Sequence, residues 1–207
     1  MRRAYELGGL DEADLAATWL EQFKRWFADA VEAGIAEPSA MVLATADGDG
    51  APSTRTVLLK GVDARGFVLY TNLNSRKGAE AMANPRGALT FPWIALQRQV
   101  CVTGRVERVA GEEADAYFAS RPHGSQLSAH ASPQSAAVAS RAELVRRFEE
   151  LGERWPEGTE VPRPEHWGGL RVVPDGVELW QGRPDRLHDR LRFRAVGSGW
   201  VVERLAP

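Results

Sequence analysis

The groups able to do chemistry in this chain are mostly cations, and they fall in three clusters. Trp180 to Arg190, WQGRPDRLHDR, reads as the end of a strand (Val177-Glu178-Leu179-Trp180), a Gly/Pro turn and the start of another strand. If residues 186–194 are extended, the two-residue repeat sets Arg186, His188, Arg190, Arg192 and Arg194 on one face. Leu187, Leu191 and Phe193 fall on the other, with Asp189 among them. Like charges side by side repel, so a solvated sheet face usually mixes signs. A row of cations beside a tryptophan therefore suits a flat, anionic ligand, while a basic face covered by water fits the composition equally well.

The second cluster follows Tyr70-Thr71-Asn72-Leu73-Asn74, where Ser75 can cap a short helix closed by Pro85. Arg76 and Lys77 then occupy its first turn, where cations oppose the helix dipole unless an anion sits with them. Free backbone N–H groups, the dipole and two cations make a phosphate site. Earlier in the chain Arg55 and Lys60 flank Val57-Leu58-Leu59. Their odd separation puts them on opposite faces of a regular strand, so both reach one ligand only through a bulge or a second subunit. The third cluster is Tyr117 and Arg121-Pro122-His123-Gly124-Ser125-Gln126, running on to Pro133-Gln134-Ser135. These side chains suit a polar ligand, and they also describe an ordinary loop.

The elements that must hold these groups are mostly short strands. Leu15, Trp19, Leu20, Phe23, Trp26, Phe27, Ala30 and Val31 recur at helical spacing, which predicts an amphipathic helix over about 13–33 ending at Gly34. Its aromatic stripe is read as core or subunit contact. Strands follow at 40–46, 52–62, 67–71, 87–95 and 98–109, the last with Gln99 at its start. Tight turns between them indicate an antiparallel meander rather than βαβ units. A helical insertion over about 110–155 contains helices at 112–120 and 140–154, and a linker at 156–164 leads to the strand pair of the C-terminal cluster. A final strand covers 200–205. The whole reads as one mainly β domain with flanking helices, over residues 1–207.

Composition excludes several classes. Net charge is −2 and 26% of residues are charged, so any anion site is local and no general case exists for nucleic acid. Cys101, the single cysteine, lies in a strand pattern and reads as a small packed side chain in a reducing compartment. No signal peptide or membrane-spanning run is visible, which points to a cytoplasmic protein. The four histidines lack metal-site spacing, and there is no Walker loop, GxGxxG, CxxC, HExxH or serine elbow. Scattered Arg, Lys, Tyr, Ser and Gln on a β scaffold suit the binding of two phosphorylated, aromatic molecules while a cofactor carries the reaction.

RTVLLK (55–60), YTNLNSRK (70–77), FPW (91–93), RQV (98–100), SRPHGSQ (120–126), PQS (133–135), WGG (167–169), WQG (180–182), RLHDR (186–190) and the ERLAP terminus closely resemble the pyridoxine/pyridoxamine 5′-phosphate oxidases, collinearly from about Arg2 to Pro207. The resemblance implies an antiparallel split β-barrel homodimer with FMN in clefts at the subunit interface. It implies oxidation of pyridoxine or pyridoxamine 5′-phosphate to pyridoxal 5′-phosphate, by hydride transfer from the substrate C4′ to flavin N5, with O2 reduced to H2O2. By motif, Arg55, Arg76 and Lys77 would hold the phosphate end of FMN, and Tyr70, Thr71, Gln99, Gln134, Ser135, Trp180 and Arg190 would complete that site. Lys60, Tyr117, Arg121 and Ser125 would grip the substrate phosphate, and Arg186 and His188 would bracket its ring as the catalytic pair. Arg2 and Tyr5 match an N-terminal segment that folds over the substrate. No metal is implied.

Three places depart from the family pattern: Ser128-Ala129-His130, where a tryptophan often follows the small pair; His123, where a basic residue is common; and Pro133, in place of a polar residue. Two rival readings stand beside the main one. A relative could keep FMN and oxidise another flat substrate such as a dihydrophenazine, though such a substrate would not need Lys60, Tyr117, Arg121 and Ser125 together. A non-catalytic flavin or pyridoxal phosphate carrier would bind without turnover.

Overall fold

Helix α1 (Trp19–Glu32) begins where Thr18 can cap it. The Thr18 hydroxyl accepts from the Glu21 N–H and the Glu21 carboxylate accepts from the Thr18 N–H. That reciprocal cap places the start at Trp19 rather than near residue 13, and a short 3-10 turn at Glu12–Asp14 precedes it. This computed structural model describes residues 7–207; Arg2 and Tyr5 lie outside the described residues. The stripe of α1 is core: Phe23 meets Phe67 edge-on at 4.9 Å and Phe91 at 5.0 Å, and Trp19 and Trp26 are buried beside them.

Nine strands form one antiparallel sheet: β1 (Ala40–Ala46), β2 (Pro52–Leu58), β3 (Gly61–Asp63), β4 (Gly66–Asn72), β5 (Arg86–Trp93), β6 (Arg98–Arg108), β7 (Trp167–Gln181), β8 (Asp189–Val196) and β9 (Gly199–Arg204). Their order is β2-β1-β5-β6-β7-β4-β3, with β8 on β7 and β9 on β8. The spine is β7. Trp167–Val172 pair with β4, Gly176–Gln181 pair with β8, and β6 runs beside both halves. At the division the register shifts between Thr103 and Gly104, where a Cβ on Gly104 would lie 2.0 Å from the Val173 carbonyl. A glycine lets the strands cross that closely, and the sheet curls there into the split barrel.

Four further helices decorate this frame: α2 (Arg76–Ala83), α3 (Gly111–Ala119), α4 (His123–Ala131) and α5 (Arg141–Arg154). Around the insertion Phe118, Leu127, Val161 and Trp167 make a second small core.

Three expectations need correction. The strand expected over 52–62 is two strands, because the backbone turns at Leu59–Lys60 before Lys60 N–H bonds Val68 O. The 121–135 stretch is not loop throughout, since α4 occupies much of it. Pro122 stands at its N-cap, with φ near its ring-fixed value. Most consequentially, 186–194 is not one strand. Pro184–Arg186 is a 3-10 turn with Asp185 and Arg186 at φ +55° and +64°, and β8 starts only at Asp189.

Candidate active site

The cap of α2 forms as its sequence requires, with the Ser75 hydroxyl accepting from the Gly78 N–H. Helix geometry then sends Lys77 inward, where it is 9% exposed, and leaves Arg76 outside. The Lys77 ammonium donates to Gln134 Oε1 at 2.6 Å, Thr71 Oγ1 at 3.1 Å and Ser75 Oγ at 3.3 Å. All three partners among the described residues are neutral oxygens. Burial, then the nearby Arg55, pushes its pKa down. An ammonium withdrawn from water without a carboxylate is a receptor for an anion.

The other two cations of this cluster are held differently. Arg55 reaches across from β2 to Thr45, Ser53 and Glu80, and Arg76 Nε donates to Glu80 Oε1 at 2.7 Å. Burial alone would raise the Glu80 carboxyl. Hydrogen bonds from Ser53, Thr45, Arg76 and Arg55 outweigh it and hold the pKa at about 2. Glu80 was not among the expected residues, although its position four residues after Arg76 on a helix is a readable ion-pair spacing. Ser135, at φ +73°, accepts from the Arg76 N–H at 3.2 Å, so the Gln134-Ser135 turn closes over the start of α2.

Next to this cradle lies a cavity of about 390 Å³ lined by Lys60, Tyr70, Thr71, Tyr117, Arg121, Gln134 and Trp167, among others. Thr71 and Gln134, the partners of Lys77, form part of its wall. Tyr70 stacks on Tyr117 at 4.0 Å and on Trp167 at 5.4 Å. The Arg121 guanidinium sits 4.8 Å above the Trp167 ring. Its Nη1 is buried and has no hydrogen-bond partner among the described residues, and burial pushes its pKa down. An orphaned guanidinium nitrogen over an aromatic floor is a second anion receptor. Ser125 lies in the first turn of α4 and is not part of this cavity wall.

The remaining expected residues gather elsewhere. Gln99 of β6 faces Trp180 of β7, which faces Arg190 of β8. His188 lies against Trp180 with ring centroids 4.7 Å apart, and its Nδ1 accepts from the Arg183 N–H at 3.1 Å. In the neutral ring the proton then resides on Nε2. Arg186 is exposed on the strained turn. The cation row is thus broken, and three of its members pair with the chain's own carboxylates: Arg190 with Glu178, and Arg192 and Arg194 with the single carboxylate of Glu203. The departures are structural in their contacts. His130 Nε2 bonds Pro162 O and its ring meets Trp155, while His123 Nε2 bonds Trp155 O.

Trp167 and Trp180 stand at the two ends of β7, a path of roughly 40 Å along the strand. The expected site residues of one chain thus fall into two groups, one toward each end of that strand.

The fold is an antiparallel split β-barrel. Residues 27–154 match the pyridoxamine 5′-phosphate oxidase family, and residues 167–207 match the pyridoxine 5′-phosphate oxidase C-terminal dimerisation region. The chain belongs to the pyridoxamine 5′-phosphate oxidase family. It is 59% identical to the pyridoxine/pyridoxamine 5′-phosphate oxidase of Frankia alni over 100% of this chain and 87% of that one. The corresponding oxidase of Streptomyces avermitilis is 55% identical over 100% of this chain and 95% of its own length. The crystal structure of PhzG from Burkholderia lata in complex with tetrahydrophenazine-1-carboxylic acid superposes with a TM-score of 0.89 at 31% identity, covering 94% of this chain and 95% of that one. Among the described residues no helix is long and apolar enough to cross a membrane.

Proposed function

We propose that this protein is an FMN-dependent oxidase of pyridoxine and pyridoxamine 5′-phosphates, yielding pyridoxal 5′-phosphate. One observation carries the reading: two desolvated cations, Lys77 in the α2 cradle and Arg121 in the adjoining cavity, each lack a carboxylate partner among the described residues. Two anion receptors that share a wall at Thr71 and Gln134 fit a phosphorylated cofactor and a phosphorylated substrate held side by side.

The donor set fits FMN. Lys77, with Arg55, Arg76, Thr71, Gln134 and Ser135 around it, would hold the phosphate end, while Gln99, Trp180 and Arg190 would serve the ring end. When bound, FMN supplies a two-electron acceptor for hydride from the substrate C4′ and a route for those electrons to O2, giving H2O2. Lys60, Tyr117 and Arg121 would bind the substrate phosphate and fix its orientation, Tyr70 and Trp167 would exclude water from that end, and Arg186 and His188 would hold the ring. With Nδ1 accepting from a backbone N–H, the neutral His188 ring would carry its proton on Nε2.

The placement of the two groups toward opposite ends of β7 supports a site completed by a second subunit. Each complete site would combine Lys77 and Arg121 of one subunit with Trp180, Arg186, His188 and Arg190 of its partner in a homodimer. The dimerisation region over 167–207 supports this, since it contains the second group. A mixing experiment tests it. At substrate well below the wild-type KM, Arg121→Gln and His188→Gln proteins should each keep only a small fraction of wild-type activity as homodimers. After mixing and subunit exchange, half the dimers are hybrids with one intact site, so activity should return to about a quarter of wild type. No recovery despite exchange would overturn the shared site.

A second reading, oxidation of a tetrahydrophenazine-type acid, draws on the PhzG likeness. The higher identity to the pyridoxine/pyridoxamine 5′-phosphate oxidases and the phosphate-sized receptor at Arg121 favour the main reading over it and over a carrier without turnover. Anaerobic mixing of FMN-loaded protein with pyridoxine 5′-phosphate separates the main reading from both others: bleaching of flavin absorbance, then recovery with peroxide in air, is expected here alone.

A further inference from the structure

The turn that carries Arg186 and His188 is strained, with two consecutive non-glycine residues at positive φ, and such backbone persists only where its surroundings fix it. The residues that bracket the turn, Arg183 and Asp189, both grip the segment at the other end of the chain. Arg183 Nη1 donates to Gly8 O at 2.8 Å, and the Leu10 N–H donates to Asp189 Oδ2 at 3.0 Å. Arg183 Nε lies 3.4 Å from the same Asp189 oxygen. Arg204 closes the cluster: Nη1 donates to Asp189 Oδ1 at 3.0 Å, Nε and Nη2 donate to Glu12 at 2.9 and 2.6 Å, and Nη2 reaches Leu10 O at 3.3 Å. The segment passes as close as a glycine permits, since a Cβ on Gly9 would stand 2.9 Å from Arg183 Nη1. Leu10 itself is buried in the main core.

We propose that Arg183, Asp189 and Arg204 form a clasp that uses residues 8–12 to lock the 184–188 turn, and so set the position and tautomer of His188. The link to the imidazole is direct, because the Arg183 backbone N–H that fixes Nδ1 belongs to the residue whose side chain holds Gly8. These are positioning residues. They are assigned to act through the turn, and the inference rests on the reading that His188 meets the substrate.

The test uses the FMN-loaded protein and Asp189→Asn, which keeps the shape and removes the charge that gathers Arg183, Arg204 and the Leu10 N–H. Hydrogen exchange at Leu10 should speed up by about tenfold or more. The His188 ring nitrogen signals should leave the Nε2–H pattern for an averaged one. The KM for pyridoxine 5′-phosphate should rise about tenfold, with a smaller change in kcat. Glu12→Gln, at the exposed edge of the clasp, should move all three the same way by less, and serves if Asp189→Asn does not fold. Faster exchange at Leu10 with His188 signals and KM unchanged would overturn the proposal. If the unaltered protein does not oxidise the substrate, the functional reading falls, while the His188 signals alone still decide the clasp.

Discussion

Lys77 Nζ and Gln134 Oε1 are 2.6 Å apart although 57 residues separate them in the chain. That bond joins the first turn of α2 to the turn after α4, and it ties the least compensated cation of the cradle to a residue in the wall of the neighbouring cavity. Lys77→Met should weaken FMN binding by roughly 100-fold, the scale of a lost charge-assisted contact in a desolvated site. Gln134→Ala, which spares the charge, should cost roughly tenfold or less. Flavin fluorescence titration measures both.

Arg121 should govern discrimination rather than cofactor affinity. Arg121→Gln is expected to raise KM for pyridoxine 5′-phosphate by about 10–100-fold while the FMN Kd changes little. Unphosphorylated pyridoxine, a poor substrate for both proteins, should lose far less. Equal losses for the two substrates would place Arg121 in the structure only, outside phosphate recognition.

Glu80 predicts a pH dependence of stability. Its ordinary pKa near 4.5 falls to about 2 in the folded chain, so the folded state favours the ionised form. The contribution is complete above pH 4.5 and lost as pH falls toward 2. Thermal unfolding of wild type and Glu80→Gln should therefore differ most at neutral pH, with the gap closing between about pH 4.5 and 2. A gap independent of pH would show that packing, not charge, is at stake.

Gly78 is the tightest point under the cradle. A Cβ there would lie 2.2 Å from the Leu73 carbonyl, a backbone atom that cannot swing aside. Gly78→Ala should cost about 1–3 kcal/mol in urea unfolding. Because it displaces the turn that aims Lys77, FMN affinity should fall with it.

Much of this was legible in the sequence. The α1 stripe, the meander and the Ser75 cap follow from periodicity and local hydrogen bonding, which act over a few residues. The joining of Lys77 with Gln134, and of Lys60 with Tyr117 and Arg121, follows from long-range sheet and helix packing, which no local pattern encodes; there the motif resemblance supplied the grouping. Strand periodicity failed at 186–194 because it assumes regular backbone, and Asp185 and Arg186 adopt positive φ instead. Pairing of the arginine row with Glu178 and Glu203 was hidden for a related reason: the partners come from neighbouring strands, one of them after the cluster. The helix at 123–131 was obscured by Gly124 and its serines, though Pro122 at its cap was a usable signal.

The long strand β7 has a consequence beyond architecture. Trp167 at its start borders the Arg121 cavity, and Trp180 near its end lies against the tilted His188 ring. In the proposed homodimer the start of each β7 touches one bound pair of ligands and its end touches the other pair. The two sites would then share one hydrogen-bonded strand, paired with β6 from Leu170 to Gln181.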